Sequence, residues 1–245
     1  MPWFFAIAER DHAIQNPTSP EKIRRVGDLL RLTSHSRVLD LACGRGGPGI
    51  VLAETFGCRI LGVEKAPEFV QVARERIAQA GLESLIDVIE GDARDVQLEP
   101  NSYDAALCLG ASFIWDGLDG TLAALAPRVK PRGHVVVGEP FWRQWPLPEG
   151  IDPEGFTSLP RTIERFKAAD LVPIGLVAAS EDDWDAYESL HWRALEDWLA
   201  ENPNDPDAIE IRRRHHEARD HYLSVQRGLL GWAMFVGRTP RAVRI

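Results

Sequence analysis

Asp40 stands four residues ahead of Gly44, the first of three glycines (Gly44, Gly46 and Gly49) that satisfy G-x-G-x-x-G between an apolar run and a helical pattern. Glycines in such a turn let the backbone come close to a ligand, and the helix N-terminus that follows favours a carboxylate or phosphate. Alone, the glycine pattern points to a dinucleotide. A carboxylate buried in the same turn changes that reading, because it repels a pyrophosphate and attracts an amino or sulfonium cation. Glu64 ends the next apolar run, where its carboxylate can accept from both hydroxyls of a ribose. Asp92 and Ala93 follow the third run, an acid beside a small residue suited to accept from an adenine amino group.

These acids share a site only if three successive strands end at one edge of a sheet. Short apolar runs at 37–41, 59–63, 86–90, 105–109 and 134–138 alternate with helical patterns, as in a parallel sheet with crossover helices. Their near-continuous apolar character suits strands covered on both faces. The spacing predicts helices over 48–56 and 67–80, with Pro48 and Pro67 in first turns and Gly81 past the end of the second. Upstream, Ser19 caps a helix that aligns Ile23, Val26, Leu29 and Leu30. Downstream, two further strands are expected at 171–178 and 229–236. Between them run helices at 183–199 and 207–226, broken at Asn202-Pro-Asn-Asp-Pro206. In open sheets of this kind ligands bind beyond the carboxyl ends of the strands.

The 245 residues carry 28 Lys and Arg against 37 Asp and Glu, a net charge of −9, with 44% hydrophobic residues. That acidity argues against nucleic acid as a partner, since such affinity rests on Lys and Arg replacing counterions. Cys43, Cys58 and Cys108 lack C-x-x-C spacing, so neither a disulfide framework nor a metal knuckle is expected. No apolar run approaches the roughly 18 residues of a membrane span. The opening segment lacks a basic leader. The expectation is one cytoplasmic, unanchored domain over 1–245, with no membrane and no metal.

The motifs Asp40-Leu-Ala-Cys-Gly-Arg-Gly46, Glu64, Gly91-Asp-Ala93, Tyr103-Asp104 and Lys130-Pro-Arg-Gly133, in that order, resemble those of class I S-adenosylmethionine-dependent methyltransferases. With Ile7 to Pro17 and Gly138 to Gln144, the similarity extends to an uncharacterised bacterial small-molecule branch. The resemblance implies an α/β, Rossmann-like fold: a seven-stranded, mostly parallel sheet with the last strand antiparallel, helices on both faces and a helical insertion before that strand. It implies S-adenosylmethionine as cofactor, S-adenosylhomocysteine as product and a small-molecule acceptor. Carried over by position, Asp40 and the backbone of Ala42, Cys43, Gly44 and Gly46 hold the methionine end. Glu64 holds the ribose with Lys65 beside it, Asp92 and Ala93 hold the adenine, and Leu109 lines the site. Two departures stand out. Ala42 replaces a common glycine and fits if its φ stays negative. Arg45 replaces a common small residue and is expected to point to solvent or pair with an acid.

Methyl transfer needs a base only if the acceptor arrives protonated, and Glu139 and His12 are the candidates. For each there is a plainer reading: a capping or structural carboxylate for Glu139, a packed or solvated histidine for His12. Trp115 and Trp142 follow the fourth and fifth strands, where they either wall an acceptor pocket or pack a loop. Eight tryptophans against three tyrosines sharpen that question. Trp184, Tyr187, His191, Leu195 and Trp198 mark one side of a helix, and segments 1–18 and 181–227 are candidate lids, with Trp3, Phe4 and Phe5 closing from the opposite side. The basic run at 212–216 reads as a solvated face or an anion site. A nicotinamide-dependent oxidoreductase is the alternative on the same fold, opposed by Asp40 and by the lack of Tyr-x-x-x-Lys. A non-catalytic sensor or scaffold that binds the cofactor is the other. Oligomeric state is not legible.

Overall fold

A computed structural model describes residues 2–241, with side chains from Phe4 onward. In chain order, helices α1 (Pro2–Ala8) and α2 (Pro20–Leu30) precede β1 (Arg37–Leu41), α3 (Gly47–Phe56), β2 (Arg59–Glu64), α4 (Pro67–Gln79) and β3 (Ile86–Glu90). Then come β4 (Tyr103–Leu109), α5 (Leu118–Leu125), β5 (Val129–Trp142), α6 (Leu159–Ala168) and β6 (Val172–Ala178). Helices α7 (Glu181–Glu201) and α8 (Ala208–His221) form the insertion before β7 (Leu230–Arg238). The sheet order is β3-β2-β1-β4-β5-β7-β6, with β7 antiparallel to both its neighbours. The expected architecture is the observed one.

Both faces of the central strands are buried, which explains their unbroken apolar runs. Val38, Ile60, Leu107 and Val136 face one core cluster, and Leu39, Leu41, Ala106, Val135 and Val137 the other. Each such fully buried Leu or Val is worth about 1.5–3 kcal/mol over its exposed state. The order reverses at β1, whose neighbours are β2 and β4, so the crevice of the open sheet lies beyond the ends of these three strands.

β5 and α7 are among the elements that run longer than their sequence patterns. β5 continues to Trp142 because β7 pairs with it from His134↔Arg238 to Trp142↔Leu230. That extension passes the end of β4, whose last partner is Gly138, and so contains the polar Glu139 and the Pro140 that a central strand would exclude. α7 starts at Glu181 because Ser180 and Asp183 form a reciprocal cap, Ser180 Oγ accepting from the Asp183 amide at 3.2 Å.

α1 packs on the insertion. Ala8, Leu195, Leu199, Ala208 and Ile211 form a third cluster, joined by Phe4, Ile7 and Trp198. Trp3 falls outside the described side chains. The basic run lies on α8, where Arg213 binds Glu210 and Glu217 and Arg214 binds Glu210. His215 is buried with Nε2 against Glu196 at 3.1 Å. All three cysteines are buried and free. No described helix is long and apolar enough to cross a membrane.

Candidate active site

The turn after β1 is built on positive φ: Ala42 at 58°, Gly44 at 55° and Gly46 at 75°. The negative φ expected for Ala42 is thereby corrected. An L-residue held there costs about 1–2 kcal/mol, and the turn keeps it because the amides of Cys43, Gly44, Arg45 and Gly46 are each engaged. The Cys43 amide donates to Val63 O at 3.1 Å and the Gly44 amide to Glu64 Oε2 at 2.9 Å. Glu64 Oε1 accepts from the amides of Lys65 and Ala66 at 2.9 and 2.8 Å. A carboxylate has about four lone-pair sites, so Glu64 still has room for a hydroxyl donor.

Asp40 sits one step before the end of β1, 2% exposed, with Oδ2 lacking any hydrogen-bond partner. Burial, helped by the nearby Glu64 charge, pushes its carboxyl up to about 7. An orphaned, buried carboxylate oxygen is costly unless a donor or cation reaches it. This is the observation that fits an aminium or sulfonium ligand and would not fit a pyrophosphate.

Beyond the ends of β2 and β3 lies a cavity of 290 Å³, with Glu64, Lys65, Asp92 and Ala93 on one side and Phe113, Ile114 and Asp116 on the other. Lys65 turns to Asp92 (Nζ to Oδ2, 3.0 Å), and Arg94 binds both of its oxygens at 3.0 and 2.7 Å. The Arg94 and Lys65 hydrogen bonds hold the Asp92 carboxyl well below the usual carboxylate range. Phe113, 76% exposed, and Ile114 carry no chemical marker in the sequence. They share a short helical turn with Trp115, which packs on the second core cluster instead of lining the cavity. Trp142 is 1% exposed and its indole N–H donates to Pro153 O at 2.9 Å, so of its two readings the structure shows the packed one.

Residues 9–16 cover the glycine turn, and Arg45 is what holds them. Its Nη1 donates to the carbonyls of Glu9 (2.7 Å), Arg10 and His12 (3.4 Å). This replaces both expectations for Arg45: it faces neither solvent nor an acid. Gln15 Oε1 accepts from the Arg45 amide at 2.9 Å, and Asn16 Nδ2 donates to Leu109 O at 3.1 Å. Gln15 and Asn16 therefore reach the ends of β1 and β4, a role that sequence spacing alone could not reveal. Arg76 Nη1 ties Ala13 O to Arg45 O, both at 2.8 Å.

Gly47 must be glycine for the same reason: a Cβ there would collide with Ala13 O and stand 2.9 Å from Ile14 Cγ1. Gly47→Ala is expected to cost about 1–3 kcal/mol and to lift the covering segment. Faster limited proteolysis between residues 9 and 17, with a lowered melting temperature, is the readout.

The comparisons with known proteins agree with this geometry. A methyltransferase-domain family matches residues 38–133. Over 242 residues the chain is 31% identical to the uncharacterized protein YjhP of Escherichia coli (strain K12), covering 96% of this chain and 97% of that one. The chain belongs to the class I S-adenosylmethionine-dependent methyltransferases. A methyltransferase of this kind from Geobacter sulfurreducens, in complex with S-adenosyl-L-homocysteine, superposes with a TM-score of 0.91 at 33% identity, covering 98% of this chain and 99% of that one. A Thiobacillus denitrificans methyltransferase in complex with the same molecule gives 0.90 at 33%, over 97% and 98%. S-adenosylmethionine is the cofactor of this methyltransferase, and the donor set around Asp40 and Glu64 suits it.

Glu139 lies just past the end of β4, buried, with Oε2 unpartnered. Burial raises its carboxyl above the ordinary value, opposed by a hydrogen bond from Ser112 and by Arg165. His12, 2% exposed, donates from Nε2 to Tyr187 O at 2.9 Å. Burial lowers its affinity for a second proton. The two candidate bases thus sit on different elements: Glu139 on β5, His12 against α7.

Proposed function

We propose that this methyltransferase acts on a small-molecule acceptor by in-line displacement, enclosed between the strand ends and a cover made of residues 1–18 and 181–227. Bound S-adenosylmethionine supplies an electrophilic methyl group on a sulfonium. Asp40 supplies the negative charge for its cationic methionine end, Glu64 receives the ribose hydroxyls, and Phe113 and Ile114 meet the adenine opposite Asp92 and Ala93. The observation that carries the reading is the unpartnered Asp40 oxygen beside Glu64.

Glu139 is the proposed base, since it is the buried carboxylate with a free oxygen at the β5 end. A raised affinity for protons brings a carboxylate closer to the range in which it can accept one at neutral pH. Closure by α1 and α7 excludes water, which strengthens these charges. The cover favours a compact acceptor over a polymer. Trp184 and Trp192 carry buried indole N–H groups without partners, available to a polar acceptor. The net charge of −9 offers no general attraction to nucleic acid.

Isothermal titration with S-adenosylhomocysteine and with NAD, then incubation with S-adenosylmethionine and a metabolite pool, tests this. Binding of S-adenosylhomocysteine and not NAD, with formation of S-adenosylhomocysteine from S-adenosylmethionine in the presence of the pool, supports an enzyme. Binding of NAD alone would overturn the cofactor assignment, and binding without turnover on any pool would leave a sensor.

A further inference from the structure

Glu9, His12 and His191 bring one donor atom each to within 4.8 Å of one another, although α7 carries His191 and the opening segment the other two. Their hydrogen bonding has a defect. His12 Nε2 faces the Tyr187 carbonyl at 2.9 Å, and since a carbonyl only accepts, that nitrogen carries the proton. In the neutral ring Nδ1 is then a bare lone pair. It lies 3.4 Å from Glu9 Oε2, also a lone pair, and neither atom has a hydrogen-bond partner. Both residues are more than nine-tenths buried. Two acceptors facing each other in the interior require a cation between them.

A proton on His12 is one such cation. It would create a second imidazolium in ring contact with His191, 4.4 Å between centroids, which already pairs with Glu9 at 3.0 Å and with Glu188 at 3.7 Å. Burial opposes it most and the His191 charge adds to that, while the Glu9 charge favours it.

We infer that Glu9, His12 and His191 form a binding site for a divalent cation of the zinc class. Nitrogen and oxygen ligands about 2.0–2.1 Å from a tetrahedral ion stand about 3.3 Å apart, close to the observed 3.4 Å. The outer nitrogen of His12 is held by a main-chain carbonyl, as metal-bound histidines require, and that of His191 faces the Glu188 carboxylate at 3.7 Å. Two carboxylates and two neutral imidazoles balance a charge of +2, with the proton of His191 released on binding. The His191 side chain is 17% exposed and gives the ion a way in.

The ion would act as a staple. Glu9 and His12 also present the carbonyls that Arg45 holds, so the site joins α7, the covering segment and the cofactor turn. The inference does not depend on the acceptor or on methyl transfer.

The test is titration of the EDTA-treated full chain with Zn²⁺ by calorimetry, and with Co²⁺ by visible absorption. Expected are one ion per chain, a tetrahedral cobalt spectrum, and a rise in melting temperature of about 5 °C at a hundredfold excess over Kd. His12→Ala and His191→Ala should each weaken binding at least tenfold, a loss on the scale of one metal ligand or its support. His216→Ala, on the outer face of α8, should leave it unchanged. Absence of stoichiometric binding to the wild-type chain would overturn the site and leave a proton in its place. So would a metal that is insensitive to His12→Ala and lost in His216→Ala. The wild-type titration decides the matter even if a variant fails to fold.

Discussion

Asp40→Asn is expected to weaken binding of S-adenosylhomocysteine roughly 10- to 100-fold, the loss of one charged hydrogen-bond partner of about 1.5–3 kcal/mol, while making the folded protein more stable at pH 8. The second half follows from linkage. Burial raises the Asp40 carboxyl from 3.8 to about 7, with Glu64 adding to the effect. The folded state therefore binds this proton more tightly than the unfolded chain. Stability associated with Asp40 is fully present below pH 4, is lost as pH rises from about 4 to 7, and stays lost above. Three units correspond to about 4 kcal/mol as an upper figure, and a neutral Asn of the same shape escapes that penalty. Urea unfolding at pH 5 and pH 8 measures it: the variant's advantage over wild type should be larger at pH 8 than at pH 5 by about 2–3 kcal/mol, since only about a third of the penalty has set in by pH 5. Identical pH profiles for the two proteins would show that Asp40 is not a strained carboxylate. S-adenosylmethionine and S-adenosylhomocysteine losing affinity equally would assign Asp40 to the amino group; a larger loss for the methionine form would assign it to the sulfonium.

The costs gather at one turn. Asp40 has an unpartnered oxygen, Ala42 has a left-handed backbone, and Glu64 stands close enough to Asp40 to raise its proton affinity. Strain of this kind persists where surrounding structure over-determines it, and here Gln15 and Arg76 do so from outside the turn and Arg45 from within it. A cationic ligand relieves the charge part of that cost, so binding and local stability are coupled through the same carboxylate.

Much of this was legible in the chain, and for definite reasons. Strands covered on both faces leave unbroken apolar runs, and acids placed at the ends of consecutive runs report a shared edge. Ser180 and Asp183 carried a capping signal that extends α7 by two residues beyond the apolar stripe. Other features have no local signature. Whether Ala42 takes positive φ depends on which amides surround it. Which residue of the turn Ser112–Trp115 meets the cavity depends on the rotation of that turn, which brings Phe113 and Ile114 to it and turns the larger Trp115 away. Arg45 reaches carbonyls 33 to 36 residues away. Glu9 meets His191 across 182 residues, a distance at which spacing carries no information.

Glu139→Gln is expected to lower the rate of methyl transfer by about 10²–10⁴-fold, the range for removal of a positioned general base, with S-adenosylhomocysteine affinity close to wild type and a melting temperature at or above it. The amide keeps the shape and can still accept from Ser112, but it cannot take a proton. Because burial raises the Glu139 carboxyl above its ordinary value, wild-type turnover should increase with pH as that group ionises. The variant should lose this limb of the profile along with its rate. The pairing of effects matters: a structural carboxylate would show a lowered melting temperature and an unchanged pH limb. His12→Gln serves as the comparison. His12 is held by Tyr187 and set against Glu9, so its replacement should reduce stability and loosen the cover while the pH limb due to Glu139 remains. If instead His12→Gln abolishes the limb and Glu139→Gln retains it, the proton leaves the acceptor through the covering segment and not through β5.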